Sequence, residues 1–118
     1  MFDHIGIRVK NLEAAVRLYS AMLAPLGHVA GSAGDSYAGF GPKGKPALWL
    51  HQDAKGGGGH VALQAPDRAA VEKFYREGIK AGAKDNGKPG LRTDYAPTYY
   101  AAFLLDADGN NIEAVCTR

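Results

Sequence analysis

The chain states one pattern twice. Residues 3–27 read DHIGIRVKNLEAAVRLYSAMLAPLG and residues 59–82 read GHVALQAPDRAAVEKFYREGIKAG. Each copy opens on a histidine, His4 or His60, then runs through an alternating strand, a turn, an amphipathic helix and a glycine. At a shift of 55 residues Ala14-Ala15-Val16 falls on Ala69-Ala70-Val71, Tyr19 on Phe74 and Gly27 on Gly82. The histidines align at 56, so one residue was gained or lost in the turn. A single strand–helix unit of this size cannot close a core. Two of them must pack together, within one chain or between chains. A histidine opening each copy points to a site shared between the halves.

At 118 residues the chain is expected to form one domain, 1–118, and its 46% hydrophobic residues suffice for a core. The 14 basic residues barely exceed the 12 acidic ones and are scattered, so no nucleic-acid-binding stripe is present. The apolar runs are far short of the roughly 18–20 residues that a membrane span needs, so no membrane partner is expected. The lone Cys116 and the absence of a leader pattern fit a cytoplasmic protein.

In the first half, alternation over residues 2–9 puts Ile5, Ile7 and Val9 on one face and His4, Gly6 and Arg8 on the other. Asn11 caps a helix that runs to Ala24, with Leu12, Val16, Tyr19 and Leu23 as its apolar stripe and Pro25 and Gly27 as its stop. Strands follow near 27–31, 36–41 and 46–52. In the second half a strand spans about 59–65, Asp67 caps a helix with the stripe Val71, Phe74, Tyr75 and Ile79, and strands follow near 83–87, 98–105 and 111–116. Asp106 to Asn111 reads as a hairpin turn. Residues 87–97 read as a long loop in which Lys88 and Arg92 can meet an anionic substrate. The expected fold is therefore α+β. Two βαβββ modules, about 1–54 and 59–118, stand in tandem across the Gly-rich linker 55–59 and form a curved mixed sheet with helices on its outer face.

Parity then sorts the chemistry-bearing side chains. His4 lies opposite Ile5 and Ile7, and His60 lies opposite Val61 and Leu63. If Ile112, Ala114 and Cys116 are core, Glu113 looks inward; if Leu48 and Leu50 are core, Trp49 and His51 look inward. One face thus collects His4, His51, His60 and Glu113. Two imidazoles and a carboxylate suit a divalent first-row metal, and His51 is the fourth candidate. Treating Phe103 and Leu105 as core turns Tyr100 toward this cavity as a proton or hydrogen-bond donor, or equally as an aromatic wall. Trp49 offers a flat wall for a planar substrate or fills the core. Arg8 shares the His4 face and suits a carboxylate.

The segments DHIGIRVKNLEAAVRLYSAMLAPLG, GHVALQAPDRAAV and YYAAFLLDADGNNIEAV resemble the glyoxalase / bleomycin-resistance / extradiol-dioxygenase superfamily, the vicinal oxygen chelate family. The resemblance covers nearly the whole chain, and Asp106-Ala107-Asp108-Gly109-Asn110-Asn111-Ile112-Glu113 is its most specific part. It implies paired βαβββ modules, a homodimer, and a metal (Fe, Mn, Ni or Zn) held by His4, His60 and Glu113. Glu113 and the Tyr100 that parity turns inward are the candidate catalytic groups. Arg8, Trp49, His51, Tyr100 and Arg92 are the candidate substrate contacts. The implied activity is metal-dependent chemistry on a small molecule with adjacent oxygens, lyase- or isomerase-like first. A ring-cleaving dioxygenase, a thiol transferase, or a metal-free protein that sequesters a ligand or drug are the alternatives. The chain departs from the glyoxalase I pattern at 46–52, PALWLHQ, where a ligating Glu is expected and either Trp49 or His51 stands.

Overall fold

The computed structural model describes residues 1–118. The first module comprises β1 (Ile5–Val9), α1 (Leu12–Leu23), β2 (Val29–Ala33), β3 (Tyr37–Gly41) and β4 (Leu48–Gln52). The second comprises β5 (His60–Gln64), α2 (Arg68–Lys80), β6 (Lys84–Leu91), β7 (Tyr100–Leu105) and β8 (Asn111–Cys116). Each module makes one four-stranded mixed sheet, ordered β1-β4-β3-β2 and β5-β8-β7-β6. The first strand of each sheet pairs parallel with the last, and the other neighbours run antiparallel. No helix is long and apolar enough to cross a membrane.

Both helices start where the side chains dictate. Asn11 Oδ1 accepts from the Ala14 N–H at 3.0 Å, and Asp67 Oδ1 accepts from the Ala70 N–H at 2.8 Å. The buried stripe of α1 is wider than expected: Ala15, Leu18 and Met22 join Leu12, Tyr19 and Leu23, while Val16 is only half-buried. In α2 the stripe is Ala70, Val71, Phe74 and Gly78, and Ile79 is 39% exposed. Both departures have one cause. Each helix packs against its own sheet and against the other helix, so the buried sector follows two neighbours instead of one. Gly78 sits at the centre of that contact, where a Cβ would strike Leu104 of β7 and come within 3.4 Å of Met22 of α1.

The sheets turn one face to this helical layer and leave the other open. Along β1 and β5 the burial alternates, with Ile7, Val9 and Val61 buried and Gly6, Arg8, His60, Ala62 and Gln64 exposed. A single apolar core spans both modules.

The turn between β7 and β8 clasps the modules together. Asn110 is wholly buried; its Oδ1 accepts from the Gly59 N–H and its Nδ2 donates to Arg8 O of β1, both at 2.9 Å. Tyr19 of α1 donates its hydroxyl to Asp106 at 2.7 Å. Asp108 accepts from the Lys10 N–H, and Gly109 takes a φ of 81°, which favours glycine. The most specific stretch of the sequence thus does structural work up to Asn110 before Glu113 enters the site.

β6 extends to Leu91, so the expected loop at 87–97 begins five residues later than read. The stretch Lys84-Asp85-Asn86-Gly87-Lys88-Pro89-Gly90 looks unlike a strand, but β6 is an edge strand with register shifts, where a proline is tolerated.

Candidate functional site

The open face of the second sheet carries the densest chemistry. β5 and β8 run parallel with Ala62 opposite Glu113, which sets His60 and Glu113 on the same face. His60 Nε2 and Glu113 Oε1 are 3.0 Å apart. Glu113 is only 3% exposed although it stands on the open face, and no Lys or Arg lies within ion-pair distance of it. Its other oxygen accepts the hydroxyl of Tyr99. That bond, with burial and the nearby carboxylate charge, pushes the Tyr99 hydroxyl up to about 12, so at neutral pH it is a proton-bearing donor. Phe103 completes the patch, its ring centroid 6.5 Å from that of His60.

Tyr100 does not belong to this site. β7 pairs with β8 in the register Tyr100↔Cys116, Ala102↔Ala114 and Leu104↔Ile112, and residues opposite one another share a face. Since Ile112, Ala114 and Cys116 are core, so are Ala102 and Leu104, and Tyr100 points to the helical side, donating to Glu72 of α2 at 2.6 Å. That bond raises its hydroxyl above the ordinary tyrosine value. Phe103 and Leu105 take the open face and Tyr99 goes with them. The size of Phe103 suggests core; register with β8 overrides it, and the same register would have found Tyr99.

The open face of the first sheet carries the remaining candidates. Gly6 stands opposite Trp49 and Arg8 opposite His51 in the β1–β4 pairing. Arg8 and His51 are exposed, and Trp49 is half-buried with its ring 6.1 Å from that of Tyr37. Gly6 makes room for the His51 ring, which a Cβ would approach to 3.2 Å. The register also resolves which residue of β4 replaces a carboxylate. His60 precedes by two the residue opposite Glu113, and His4 precedes by two the residue opposite Trp49. Trp49 therefore holds in the first module the place that Glu113 holds in the second, and His51 lies two residues further along.

His4 does not reach the His60–Glu113 pair. It stands exposed before β1 with Nδ1 2.8 Å from Asp3 Oδ1, which holds the Asp3 carboxyl below its ordinary value. No three His, Cys, Asp or Glu side chains assemble as a metal site within the chain. The concavity expected to gather His4, His51, His60 and Glu113 is thus not closed by one chain. The donor chemistry nevertheless fits a divalent ion as a half-site. An imidazole nitrogen and a nearly buried carboxylate oxygen face one another with no Lys or Arg paired to the carboxylate.

Arg92 lies beside this half-site. Its guanidinium donates to Gly90 O at 2.9 Å and Lys88 O at 2.6 Å, and its Cζ sits 5.4 Å from the centre of the Phe103 ring.

Comparison with known proteins agrees with this architecture. The family model of the Glyoxalase/Bleomycin resistance protein/Dioxygenase superfamily matches residues 1–114. A glyoxalase/bleomycin resistance protein from Albidiferax ferrireducens T118 superimposes with a TM-score of 0.86 at 25% identity, covering 98% of both chains. A glyoxalase/bleomycin resistance protein/dioxygenase family enzyme from Burkholderia phytofirmans PsJN gives 0.76 at 16% identity, again over 98% of both. A glyoxalase I mutant from Zea mays gives 0.69 at 21% identity, covering 97% of this chain and 43% of that one. No functionally curated protein matches the sequence. The repeated βαβββ module, the Asp106–Glu113 segment and the match over nearly the full length establish that this chain belongs to the glyoxalase/bleomycin resistance protein/dioxygenase superfamily.

Proposed function

We propose that the chain acts as a divalent-metal-dependent enzyme on a small substrate with two adjacent oxygens, and that it works as a homodimer. The observation that carries this reading is the His60–Glu113 pair, 3.0 Å apart, whose carboxylate is nearly buried on an otherwise open sheet face. One chain supplies these two donors, and a second copy supplies His4 as the third. A bound Mn, Fe, Ni or Zn ion would act there as a Lewis acid on the paired oxygens.

The chain's own residues supply the rest. Tyr99 keeps its proton at neutral pH and holds Glu113 in place. Phe103 shields the pair from one side. With Trp49 in the place of a second carboxylate, proton transfer falls to Tyr99 and the exposed His51 instead of to a glutamate base. Lyase- or isomerase-like chemistry, which needs only such transfers, is the reading we prefer to dioxygen insertion or thiol transfer.

A metal-free ligand-binding protein is the second reading. It is favoured by the Trp49–Tyr37 aromatic wall, which offers a surface to a planar ligand.

Metal content after reloading with Mn, Fe, Ni and Zn separates the two. Near-stoichiometric metal that is lost in both His4→Ala and His60→Ala is expected. Refolding the two variants together should restore up to one ion per mixed dimer, because one of its two sites is then intact. A wild-type protein that takes up none of the four ions would overturn the metal reading. Recovery of nothing on mixing would overturn the shared site.

A further inference from the structure

We infer that Arg92 is an anion clamp and that the molecule bound at the His60–Glu113 site carries a carboxylate at its far end. This rests on the reading of that pair as the substrate-binding site and deepens it.

Three observations carry the inference. First, the guanidinium is built in place. It is tied to Gly90 O and Lys88 O and lies over the Phe103 ring. Gly87 and Gly90 provide its seat, since a Cβ on either would come within 3.2 Å of a guanidinium nitrogen. Such fixation removes rotamer freedom before any ligand arrives. Second, its charge has no counter-charge. None of the four ion pairs of the chain involves Arg92, and both of its acceptors are neutral carbonyls. Two of its five N–H groups are used, which leaves three to bind a ligand. Third, it addresses the site. Phe103 lies against both the Arg92 guanidinium and the His60 ring, and the Arg92 backbone N–H pairs with the backbone carbonyl of Tyr99, the residue whose hydroxyl holds Glu113. A ligand whose paired oxygens lie at His60 and Glu113 therefore extends along Phe103 toward a rigid, uncompensated guanidinium. The planar fork of arginine matches a carboxylate.

The test uses two probes that differ only at the far end, 2-oxoglutarate and its terminal (C5) methyl ester. Their binding to the dimeric protein is measured by calorimetry, with and without Mn. The acid is expected to bind about ten- to a hundredfold tighter than the ester, as a charge-assisted pair allows. Arg92→Gln should abolish this preference, Arg92→Lys should keep part of it, and added salt should weaken it in the wild type. Should Arg92→Gln fail to fold, the salt dependence and Arg92→Lys still decide. Equal binding of acid and ester by the wild type, or a preference untouched in a folded Arg92→Gln, would overturn the inference. Metal content, measured separately, tests the site itself. A preference for the acid in a protein that takes up no metal leaves Arg92 as the clamp while the metal reading falls.

Discussion

Tyr99 donates its hydroxyl to Glu113, the same carboxylate that stands 3.0 Å from His60, so one buried acid organises both neighbours. The bond has a pH signature. The Tyr99 pKa is raised from 10.0 in the unfolded reference to about 12, chiefly by the hydrogen bond to Glu113. A raised pKa means that the folded state favours the protonated hydroxyl. The contribution is complete below pH 10 and is lost as pH rises from about 10 to about 12. Wild-type protein should therefore lose stability more steeply across that window than Tyr99→Phe, measured by urea denaturation at stepped pH. Ultraviolet titration should show several late tyrosines, of which Glu113→Gln brings one, Tyr99, back toward the ordinary value. Identical alkaline profiles in wild type and Tyr99→Phe would count against the bond.

The adjacent tyrosines should behave oppositely toward metal. Tyr99→Phe removes the donor that positions a ligating carboxylate, and such losses cost roughly ten- to a hundredfold in metal affinity. Tyr100→Phe removes a bond to Glu72 on the helical side and should leave metal affinity unchanged within about twofold. Competition with a chelator reads both. A larger effect at Tyr100 would reverse the face assignment of β7.

The duplication is legible from the 55-residue shift, the helix caps from the side chains of Asn11 and Asp67, and the faces of β1, β4, β5 and β8 because each alternates in a way that only one parity satisfies. The face of β7 is not. Its run of Tyr100-Ala101-Ala102-Phe103-Leu104-Leu105 is apolar on both faces, and only pairing with β8 decides which face is core. β6 looks shorter in sequence than in the fold because Gly87 and Pro89 are loop residues except on an edge strand. Arg92 was singled out from its type and loop position, but its seat depends on Gly87, Gly90 and Phe103 meeting in space. The structural duty of Asn110 was hidden because its partners, Arg8 and Gly59, are far away in sequence.

That duty predicts a cost. Asn110→Ala leaves the Arg8 carbonyl and the Gly59 N–H without their partner where the modules meet. Removing one partner of a buried polar group costs about 1–3 kcal/mol. Urea denaturation should show a loss at the upper end of that range or above, since Asn110 also donates to Asp106 at 2.8 Å. A loss below about 0.5 kcal/mol would mean that water replaces the clasp.

Gly78→Ala sets two effects against each other. Alanine is the better helix former by about 1 kcal/mol. The added methyl, however, strikes Leu104, which is fully buried and hemmed in by Ile112 and the α2 helix, and it also meets Met22. Overpacking of this kind costs about 1–3 kcal/mol, so the variant should be less stable by up to about 2 kcal/mol, read from the urea midpoint at constant slope. A gain in stability would show that α2 can move away from β7.

Trp49→Glu tests whether the two modules are equivalent in chemistry as well as in register. Trp49 stands opposite Gly6 as Glu113 stands opposite Ala62, and each follows a histidine placed two residues before that partner. If His4, His60 and Glu113 form a three-donor site across two chains, the position of Trp49 is the unfilled fourth place. A carboxylate there adds both a ligand and a negative charge. Metal affinity should then rise by about tenfold or more, equivalent to about 1.4 kcal/mol. The change also removes the Trp49 ring from its contacts with Gly39 and Tyr37, so some loss of stability is expected without metal and should be offset when metal is added. Chelator competition and thermal unfolding with and without Mn separate the two effects. A folded Trp49→Glu protein that binds metal no more tightly than wild type would place Trp49 outside the coordination sphere and return it to the role of an aromatic wall.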